Sequence, residues 1–404
     1  MLRPALLVLL LITPVVAADW PQFLGAERNG VYNGAPLNEK WAPAGPRVLW
    51  RKQVGSGLAG PVVAQNRLIV FHRIDDREIV DALDPQTGAA QWRHAYPTTY
   101  RDDFGFDEGP RAVPVVANGI VYTFGAEGRL HAIDMSSGRP LWNVDAMKQF
   151  GVPKGFFGAA GSPLVENGRV IANIGGKDAG IVSFDAKTGK VLWTATSDAA
   201  SYSSGTAATL FGKRYALFLT REGLVGLDPA NGEVRFRRAW RARQAASVNA
   251  ATPLVIGNSI FVSAEYGPGA GMLQFDGAKL IDLWMSNDVL SNHYATSVHH
   301  EGRLFGFHGR QEFGPVFRAV QMESGKVLWS TERFGAGSVT LAGDRLVIVQ
   351  ETVELMLAAA SSSAFQPIAK AQILPPTIRA YPALADGLLY VRNGDTLACV
   401  DLRK

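Results

Sequence analysis

Residues that could bind a ligand recur at one position in successive parts of the chain, just before a short run of strand-forming residues. They are mainly basic, amide-bearing and aromatic, with one acid among them: Glu108, Arg111, Lys154, Tyr202, Asn249, Asn292, His293, Tyr294, Arg379 and Tyr381. Basic side chains pair with anions and aromatic rings offer flat apolar faces. The set therefore suits a planar anion such as a quinone carboxylate, or an acidic peptide. Alternatively, these side chains bond to one another and to water.

An acidic stretch, residues 100–111 (YRDDFGFDEGPR), brings four carboxylates within seven residues. They belong to Asp102, Asp103, Asp107 and Glu108. Carboxylate oxygens bind Ca²⁺, but this spacing matches no calcium-binding loop, so a solvated acidic loop is the favoured interpretation. Phe104 and Phe106 predict that the loop folds back onto the protein. We predict no metal site and assign no catalytic residue.

Two further groups of residues could interact with partners. The stretch 235–243 (RFRRAWRAR) is rich in arginine and could contact an acidic protein or an anionic polysaccharide. It could equally protect a sheet edge from pairing with other chains. His299 and His300 are neighbours on a predicted strand, so they point to opposite faces and are expected to be surface residues rather than ligands of one metal.

The elements that position these residues come from a repeated motif of the form LDxxTGxxxW, as in FDAKTGKVLW, called here the docking phrase. Its terminal aromatic residues are spaced between 42 (Trp50 to Trp92) and 51 (Trp142 to Trp193) residues apart. An eighth, weaker copy places Ile368 at this position. The seven aromatic residues are Trp50, Trp92, Trp142, Trp193, Phe236, Trp284 and Trp329. A period of this length with strand-like content predicts a β-propeller with one four-stranded blade per repeat.

Each repeat also carries two hairpin signals. The front half has short apolar runs around Asn-Gly or Asp-Gly, a pattern typical of a tight β-hairpin. In the back half, the Asp185 carboxylate is expected to accept hydrogen bonds from the turn, where Gly189 takes a positive φ. Trp193 then fills the wedge between blades. The equivalent aspartates (Asp84, Asp134 and Asp228) could instead bind metal, but they lie one per blade, so the structural role is favoured.

The ends of the repeat region complete each other. Trp50 ends a back half that lacks its preceding strand, and the final residues LACVDLRK supply that strand without an outer partner. The two fragments predict one composite blade that closes the ring and leaves no open sheet edge. We therefore predict an all-β, eight-bladed propeller over residues 46–404, preceded by a lead-in segment, 19–45. Seven blades remain the alternative if the eighth copy is not a full blade.

The first 18 residues predict export. Arg3 precedes an apolar run too short to span a bilayer, followed by small residues typical of signal-peptide cleavage. We expect a periplasmic or secreted, monomeric protein without a membrane span after cleavage. Cys399 is the sole cysteine, so no intramolecular disulfide can form. The net charge of +4 is too small to indicate nucleic-acid binding.

With its repeated docking phrase, the chain resembles the quinoprotein-type propeller family over roughly residues 40 to 404. The lead-in DWPQFLGAERNGV is also similar to that of secreted bacterial members. The family includes dehydrogenases that use pyrroloquinoline quinone, and a scaffolding lipoprotein of outer-membrane assembly. The resemblance to the dehydrogenases implies a Ca²⁺ site, an aspartate base and a disulfide between adjacent cysteines. This chain lacks the cysteine pair, has no obvious catalytic aspartate and is shorter than is usual for them.

The sequence therefore favours a binding or scaffolding module over an enzyme. Its partner would be a protein of the cell envelope or a small anionic, planar ligand. One alternative is an oxidoreductase of the alcohol dehydrogenase type that uses pyrroloquinoline quinone with Ca²⁺. A second alternative is a carbohydrate-binding or carbohydrate-processing surface, which the aromatic residues would allow.

Overall fold

A computed structural model describes residues 18–242, 244, 247–376 and 379–404. Within these residues the chain forms eight antiparallel sheets of four strands, and one sheet gains a short fifth strand. The predicted signal peptide lies outside the described residues except for Ala18. No helix in the described ranges combines the length and apolar character that crossing a membrane requires. The prediction of eight blades is confirmed.

Blades 1 to 4 follow each other along the chain, each running from its inner to its outer strand. The strands of blades 1 and 2 are Val62–Ala64, Arg67–Ile74, Arg77–Leu83, Ala90–Pro97, then Val115–Ala117, Ile120–Phe124, Arg129–Asp134 and Pro140–Asp145. Those of blades 3 and 4 are Leu164–Glu166, Arg169–Gly176, Ala179–Asp185, Val191–Ala195, then Thr206–Leu210, Lys213–Leu219, Gly223–Leu227 and Val234–Ala239.

Blades 5 to 7 repeat the pattern. Their strands are Leu254–Ile256, Ser259–Ala264, Gly269–Phe275, Leu280–Ser286, then Val298–His300, Arg303–His308, Val316–Gln321, Val327–Ser330, then Gly337–Ala342, Arg345–Gln350, Glu354–Ala359 and Gln366–Gln372. One α-helical turn, Ala146–Gln149, follows blade 2. One 3₁₀ turn, Gln311–Phe313, lies inside blade 6.

Blade 8 joins the two ends of the propeller. Its first three strands are Ala383–Ala385, Leu388–Arg392 and Thr396–Asp401, and its outer strand is Val48–Gln53. The pairing is antiparallel, with Trp50 opposite Cys399. The predicted composite blade is thus confirmed, and the ring has no unpaired blade at which it could open.

The repeated phrase builds the contacts between blades. Asp185 Oδ1 accepts hydrogen bonds from the Thr188 amide at 2.8 Å and the Lys187 amide at 3.1 Å, which fixes the turn. Trp142, on the outer strand of blade 2, donates its indole N–H to the Ala186 carbonyl in that turn of blade 3 at 3.0 Å. Trp50, Trp92, Trp193, Trp284 and Trp329 make the equivalent bond to the next blade.

The assignment of Ile368 to the tryptophan position of blade 7 was wrong by one residue. In blade 3, Trp193 lies opposite Ser183, and the preceding Leu192 is an unpaired bulge residue. In blade 7, Ala369 occupies the paired position opposite Leu357, and Ile368 is the bulge residue. A bulge residue points away from the core, and the Ile368 side chain is accordingly exposed.

Residues 18–38 occupy the central channel and are called here the N-terminal hairpin, a name that refers to the turns between Gln22 and Gly30 and not to paired strands. Trp20 pairs with Val63 of blade 1 through two backbone hydrogen bonds of 2.8 and 2.9 Å. Val31–Tyr32 adds a parallel strand to Gly337–Ala342 of blade 7. The segment therefore contacts the inner strands of distant blades, and its Trp20, Leu24 and Tyr32 side chains are buried.

Candidate functional site

A bowl opens on the face of the ring where the inner strands begin, called here the upper face. Its volume is about 210 Å³. Six of the ten residues singled out from the sequence line it: Arg111, Tyr202, His293, Tyr294, Arg379 and Tyr381. They converge because the chain before each inner strand crosses from one blade to the next on this face.

The other four do not line the bowl. The side-chain amides of Asn249 and Asn292 are buried and donate to backbone carbonyls, of Thr220 and Trp240 and of Phe307 respectively. These two asparagines hold the connections between blades. The side chains of Lys154 and Glu108 are partly exposed. Lys154 Nζ is 2.5 Å from Asp103 Oδ1, and Glu108 is 3.6 Å from the buried Arg73 guanidinium.

The carboxylates of the acidic loop 100–111 have separate partners. Asp102 accepts from the Phe106 amide at 2.6 Å and lies 3.6 Å from Arg111. Asp107 accepts from the Gly109 amide at 2.7 Å and from the Gly57 amide at 3.1 Å. Since Asp103 and Glu108 pair elsewhere, the four carboxylates do not converge on one point. Their bonds instead fix the loop over the mouth of the bowl.

Phe23 of the N-terminal hairpin forms part of the floor. Its ring meets the Tyr381 ring edge-on, with the ring centroids 4.8 Å apart. The Tyr381 hydroxyl accepts from the Thr296 amide at 2.6 Å, and burial raises the pKa of this tyrosine. The hairpin therefore closes the channel from below, so the site is a bowl rather than a pore.

Arg379 is held on one wall by a charged and aromatic cluster. Its Nε lies 3.1 Å from Glu351 Oε1, which also accepts from the Tyr294 hydroxyl at 2.5 Å. The guanidinium carbon lies 5.8 Å from the Tyr294 ring centre and 5.6 Å from that of Phe106. Such cation–π contacts and the ion pair orient Arg379 toward the bowl.

Next to this cluster, His293 is hydrogen-bonded to the Tyr266 hydroxyl at 3.0 Å, and its ring lies 5.6 Å from that of Tyr294. Burial lowers the pKa of His293 to about 4, so the imidazole is neutral near pH 7. Arg310 covers the Tyr266 ring at 4.5 Å and pairs with Glu312 at 3.1 Å. Arg310 and Glu312 are thus also internally paired, whereas His293 Nδ1 and Gln311 Oε1 are buried without a hydrogen-bond partner among the described residues.

Four exposed phenyl rings belong to the loops that contribute residues to the bowl and are called here the phenyl rim. They have large exposed fractions: Phe104 51%, Phe106 62%, Phe156 42% and Phe313 78%. Phe104 and Phe106 stack with centroids 6.0 Å apart, and Phe104 lies 5.3 Å from Phe157. As predicted, the acidic loop folds back onto the ring through these phenylalanines.

Sequence reasoning missed several bowl residues, among them Phe23, Tyr266 and Glu312. Tyr266 and Glu312 lie in the turns between the second and third strands of blades 5 and 6. These turns open on the upper face, because each inner strand runs away from that face and the second strand returns to it. That alternation was available from the sequence. The position of Phe23 was not, because it depends on the path of the N-terminal hairpin.

The arginine-rich stretch lies on the outer strand of blade 4, away from the bowl. Each of its described arginines pairs with a carboxylate: Arg235 with Asp228, Arg237 with Asp198, Arg238 with Asp282 and Arg241 with Glu222. Arg243 lies outside the described residues. His299 and His300 are at a hairpin on the lower face, where His299 accepts from the Gly302 amide at 3.0 Å.

A sequence model described as outer membrane protein assembly factor BamB matches residues 76–308. Among curated proteins, quinohemoprotein alcohol dehydrogenase ADH-IIG of Pseudomonas putida is 34% identical over 122 residues, which cover 28% of this chain and 16% of that protein. The dehydrogenase subunit of a quinone alcohol dehydrogenase from Komagataeibacter europaeus is 30% identical over 133 residues, 31% of this chain and 18% of its own length. The matches therefore span less than a fifth of these relatives.

Solved structures show the same fold. BamB from Moraxella catarrhalis aligns with a TM-score of 0.63 and 14% identity, over 88% of this chain and 97% of that one. Quinohemoprotein alcohol dehydrogenase from Comamonas testosteroni aligns with a TM-score of 0.67 and 15% identity, over 96% and 81% respectively. Since the sequence model matches more than half of the chain, this propeller belongs to the family described as outer membrane protein assembly factor BamB.

Proposed function

We propose that this protein is a non-catalytic binding module of the bacterial cell envelope, and that it docks a protein partner on its upper face. The phenyl rim carries this proposal. Four exposed phenyl rings on the loops that line one cavity form an apolar surface of the kind that marks interaction sites. Buried aromatic anchors with a polar surround also dominate the energy of protein–protein interfaces.

The bowl and the phenyl rim together suit a protruding segment of a partner better than a small ligand alone. A small ligand would be enclosed by the bowl and would leave Phe104 and Phe313 exposed to water. A protein segment that enters the bowl would cover both the floor at Phe23 and the rim. Asp102 and the aromatic stack hold the loops of Phe104, Phe106 and Phe156, so that part of the surface is largely preformed, which lowers the entropy cost of binding.

A dehydrogenase that uses pyrroloquinoline quinone with Ca²⁺ is the second candidate, favoured by the curated relatives and by the two arginines in the bowl. The residues present do not fit that cofactor and ion. Cys399 is buried in blade 8 and has no cysteine neighbour to form the disulfide. Within the described ranges, no three His, Cys, Asp or Glu side chains are grouped to hold a metal ion. We therefore derive no reaction step.

The test of the docking proposal compares two double variants in a pull-down from envelope extract with chemical crosslinking. Phe106→Ser with Phe313→Ser alters the phenyl rim. Leu141→Ser with Leu192→Ser removes two other exposed apolar side chains, 48% and 47% exposed, that lie on outer strands. We expect the rim variant to lose its partner and, once that partner is purified, to bind it at least about tenfold more weakly. Equal capture by both variants would refute docking at the rim.

Calorimetry distinguishes the second candidate. We expect that adding Ca²⁺ leaves any binding of pyrroloquinoline quinone unchanged, because Glu312 and Glu351 are already paired with Arg310 and Arg379. Binding that Ca²⁺ strengthens would support the dehydrogenase instead. Cell fractionation tests the proposed location, with recovery in the cytoplasm as the contrary result.

A further inference from the structure

The ionised side chains on the wall of the bowl are paired, but a positive charge that has no such partner lies beneath its floor. Each ionised group on the wall has a partner: Arg111 with Asp102 at 3.6 Å, Arg379 with Glu351 at 3.1 Å, and Glu312 with Arg310 at 3.1 Å. These pairs largely cancel each other's fields. The remaining charge comes from below the floor.

Arg28 of the N-terminal hairpin is that charge. Its side chain is buried, with only 3% of the residue exposed. Nη1 donates to the Gly205 carbonyl at 2.7 Å, Nη2 donates to the Pro163 carbonyl, and Nε donates to Gln22 Oε1 at 2.8 Å. All three acceptors are neutral, and no carboxylate of the described residues pairs with it. Burial lowers the pKa of Arg28 to about 9, which still leaves it charged at neutral pH.

The two carbonyls that hold Arg28 belong to the residues directly after Ser162 and Ser204, whose side chains line the bowl. Arg28 therefore lies immediately behind this part of the floor. An unpaired charge in a medium of low dielectric constant is costly and attracts an opposite charge strongly. An anion in the bowl would offset that cost.

The same two serines can donate hydrogen bonds to such an anion. Ser162 Oγ accepts from the Val113 amide at 2.9 Å, and Ser204 Oγ accepts from the Ser162 amide at 3.0 Å. Both hydroxyls are thereby fixed as acceptors, and each retains its own proton to donate. Two fixed hydroxyl donors above a buried cation form a suitable cradle for a carboxylate.

We propose that the segment occupying the bowl carries a carboxylate, that Ser162 and Ser204 donate to it, and that Arg28 selects it over a neutral group. Phe23, Phe106 and Phe157 line the bowl around this cradle, so the carboxylate stands beside an apolar or aromatic group. This inference deepens the docking proposal and rests on it for the protein origin of the carboxylate. The N-terminal hairpin would then determine specificity as well as fill the channel.

Two matched probes test the selectivity without knowledge of the partner. N-acetylphenylalanine bears a carboxylate, and N-acetylphenylalanine amide has the same ring without the charge. In NMR titrations of the full chain up to about 10 mM, we expect the acid to bind about tenfold more tightly than the amide, the difference that one moderately screened charge contact supplies. Equal affinities, or no binding of the acid, would overturn the proposal.

Variants assign the selectivity to Arg28. We expect Arg28→Met to bind the two probes equally and Arg28→Lys to retain part of the preference. The matched control is Arg392→Met, which removes another buried arginine held by backbone carbonyls, those of Gly55, Asn393 and Gly394. Discrimination that persists in folded Arg28→Met would contradict the proposal. If Arg28→Met does not fold, Ser162→Ala with Ser204→Ala provides the same test, again with loss of the preference expected.

A third probe identifies the source of the carboxylate. A blocked peptide with an internal phenylalanine–glutamate pair represents a protein segment, and N-acetylphenylalanine represents a free acid. Tighter binding of the peptide supports both proposals. Tighter binding of the free acid, with pull-down unaffected by the rim variants, would leave the carboxylate site in place and refute protein docking.

Discussion

Gly189 lies directly beneath the indole of Trp142 from the preceding blade. A Cβ atom added to Gly189 would stand 2.8 Å from the indole ring, closer than real contacts allow. Gly88, Gly138, Gly232 and Gly325 face Trp50, Trp92, Trp193 and Trp284 in the same way. The glycine of the repeated phrase is therefore needed for the approach of the neighbouring blade as well as for its positive φ.

The first prediction separates these two roles. Gly189→Ala introduces both a strained φ of +71° and the clash with Trp142, whereas Gly168→Ala introduces only a strained φ of +74°, since nothing lies within 4 Å of its added Cβ. We expect a loss in unfolding free energy of about 2–4 kcal/mol for the first variant and about 1 kcal/mol for the second. Denaturant titration measures both, and equal losses would mean that the indole contact contributes nothing.

The second prediction uses Cys399 as a probe of ring opening. This thiol is fully buried in the third strand of blade 8, and burial raises its pKa to about 12. We expect a thiol reagent to label it only after blade 8 opens, so Trp50→Ala should accelerate labelling by about tenfold or more. Trp193→Ala, in blade 3, is the control that should change the rate little. Rapid labelling of the unaltered protein would show that blade 8 opens readily and does not hold the ring closed.

The third prediction concerns acid. Burial, with smaller contributions from His94 and Arg129, lowers the pKa of His131 from 6.5 to about 3. The unfolded chain therefore binds this proton at a higher pH than the folded chain does. Stability should fall as the pH drops from about 6.5 toward 3, by up to about 1.4 kcal/mol per pH unit from this residue.

His131→Phe should flatten that part of the pH profile, because the replacement cannot take up a proton and can keep the stacking on Tyr96, whose ring lies 4.0 Å away. His300→Gln, at the lower hairpin, is the comparison that should retain the slope. Melting temperatures measured between pH 7 and pH 4 provide the readout. An unchanged slope in His131→Phe would assign the acid sensitivity to other residues.

The fourth prediction concerns the loop that bears half of the phenyl rim. The Asp102 side chain is fully buried and accepts from the Phe106 and Asp107 amides, at 2.6 and 3.2 Å. Asp102→Asn should weaken these bonds and expose residues 103–107 to proteases and hydrogen exchange. Asp103→Asn, which alters only an exposed pair with Lys154, should have little effect. Similar protection in both variants would contradict the anchoring role of Asp102.

Blade number and ring closure could be predicted from the sequence because the docking phrase recurs in nearly every blade and its halves are divided between the chain ends. Ile368 was misplaced because a bulge adds one unpaired residue that residue counting does not reveal. In the bowl, Tyr202 and Tyr294 were found because the segment before each inner strand opens upward.

The direction of a side chain within such a segment was not predictable. Asn292 and His293 are neighbours, yet the first bonds inside the blade connection and the second lines the bowl. The role of Arg28 could not be predicted from the sequence either, because its carbonyl partners lie 135 and 177 residues away along the chain. No local pattern encodes a contact of that separation.

Because blade 8 joins strands from the two ends of the propeller, it also determines when the ring can close during biosynthesis. Val48–Gln53 is synthesised before its partner Thr396–Asp401, since 343 residues separate Gln53 from Thr396 along the chain. The N-terminal hairpin likewise waits for Gly337–Ala342 of blade 7. Until those partners are synthesised, the strands Val48–Gln53 and Val31–Tyr32 remain without their final neighbours. Because contacts between distant segments form slowly, we expect ring closure in blade 8 to be a slow step of folding.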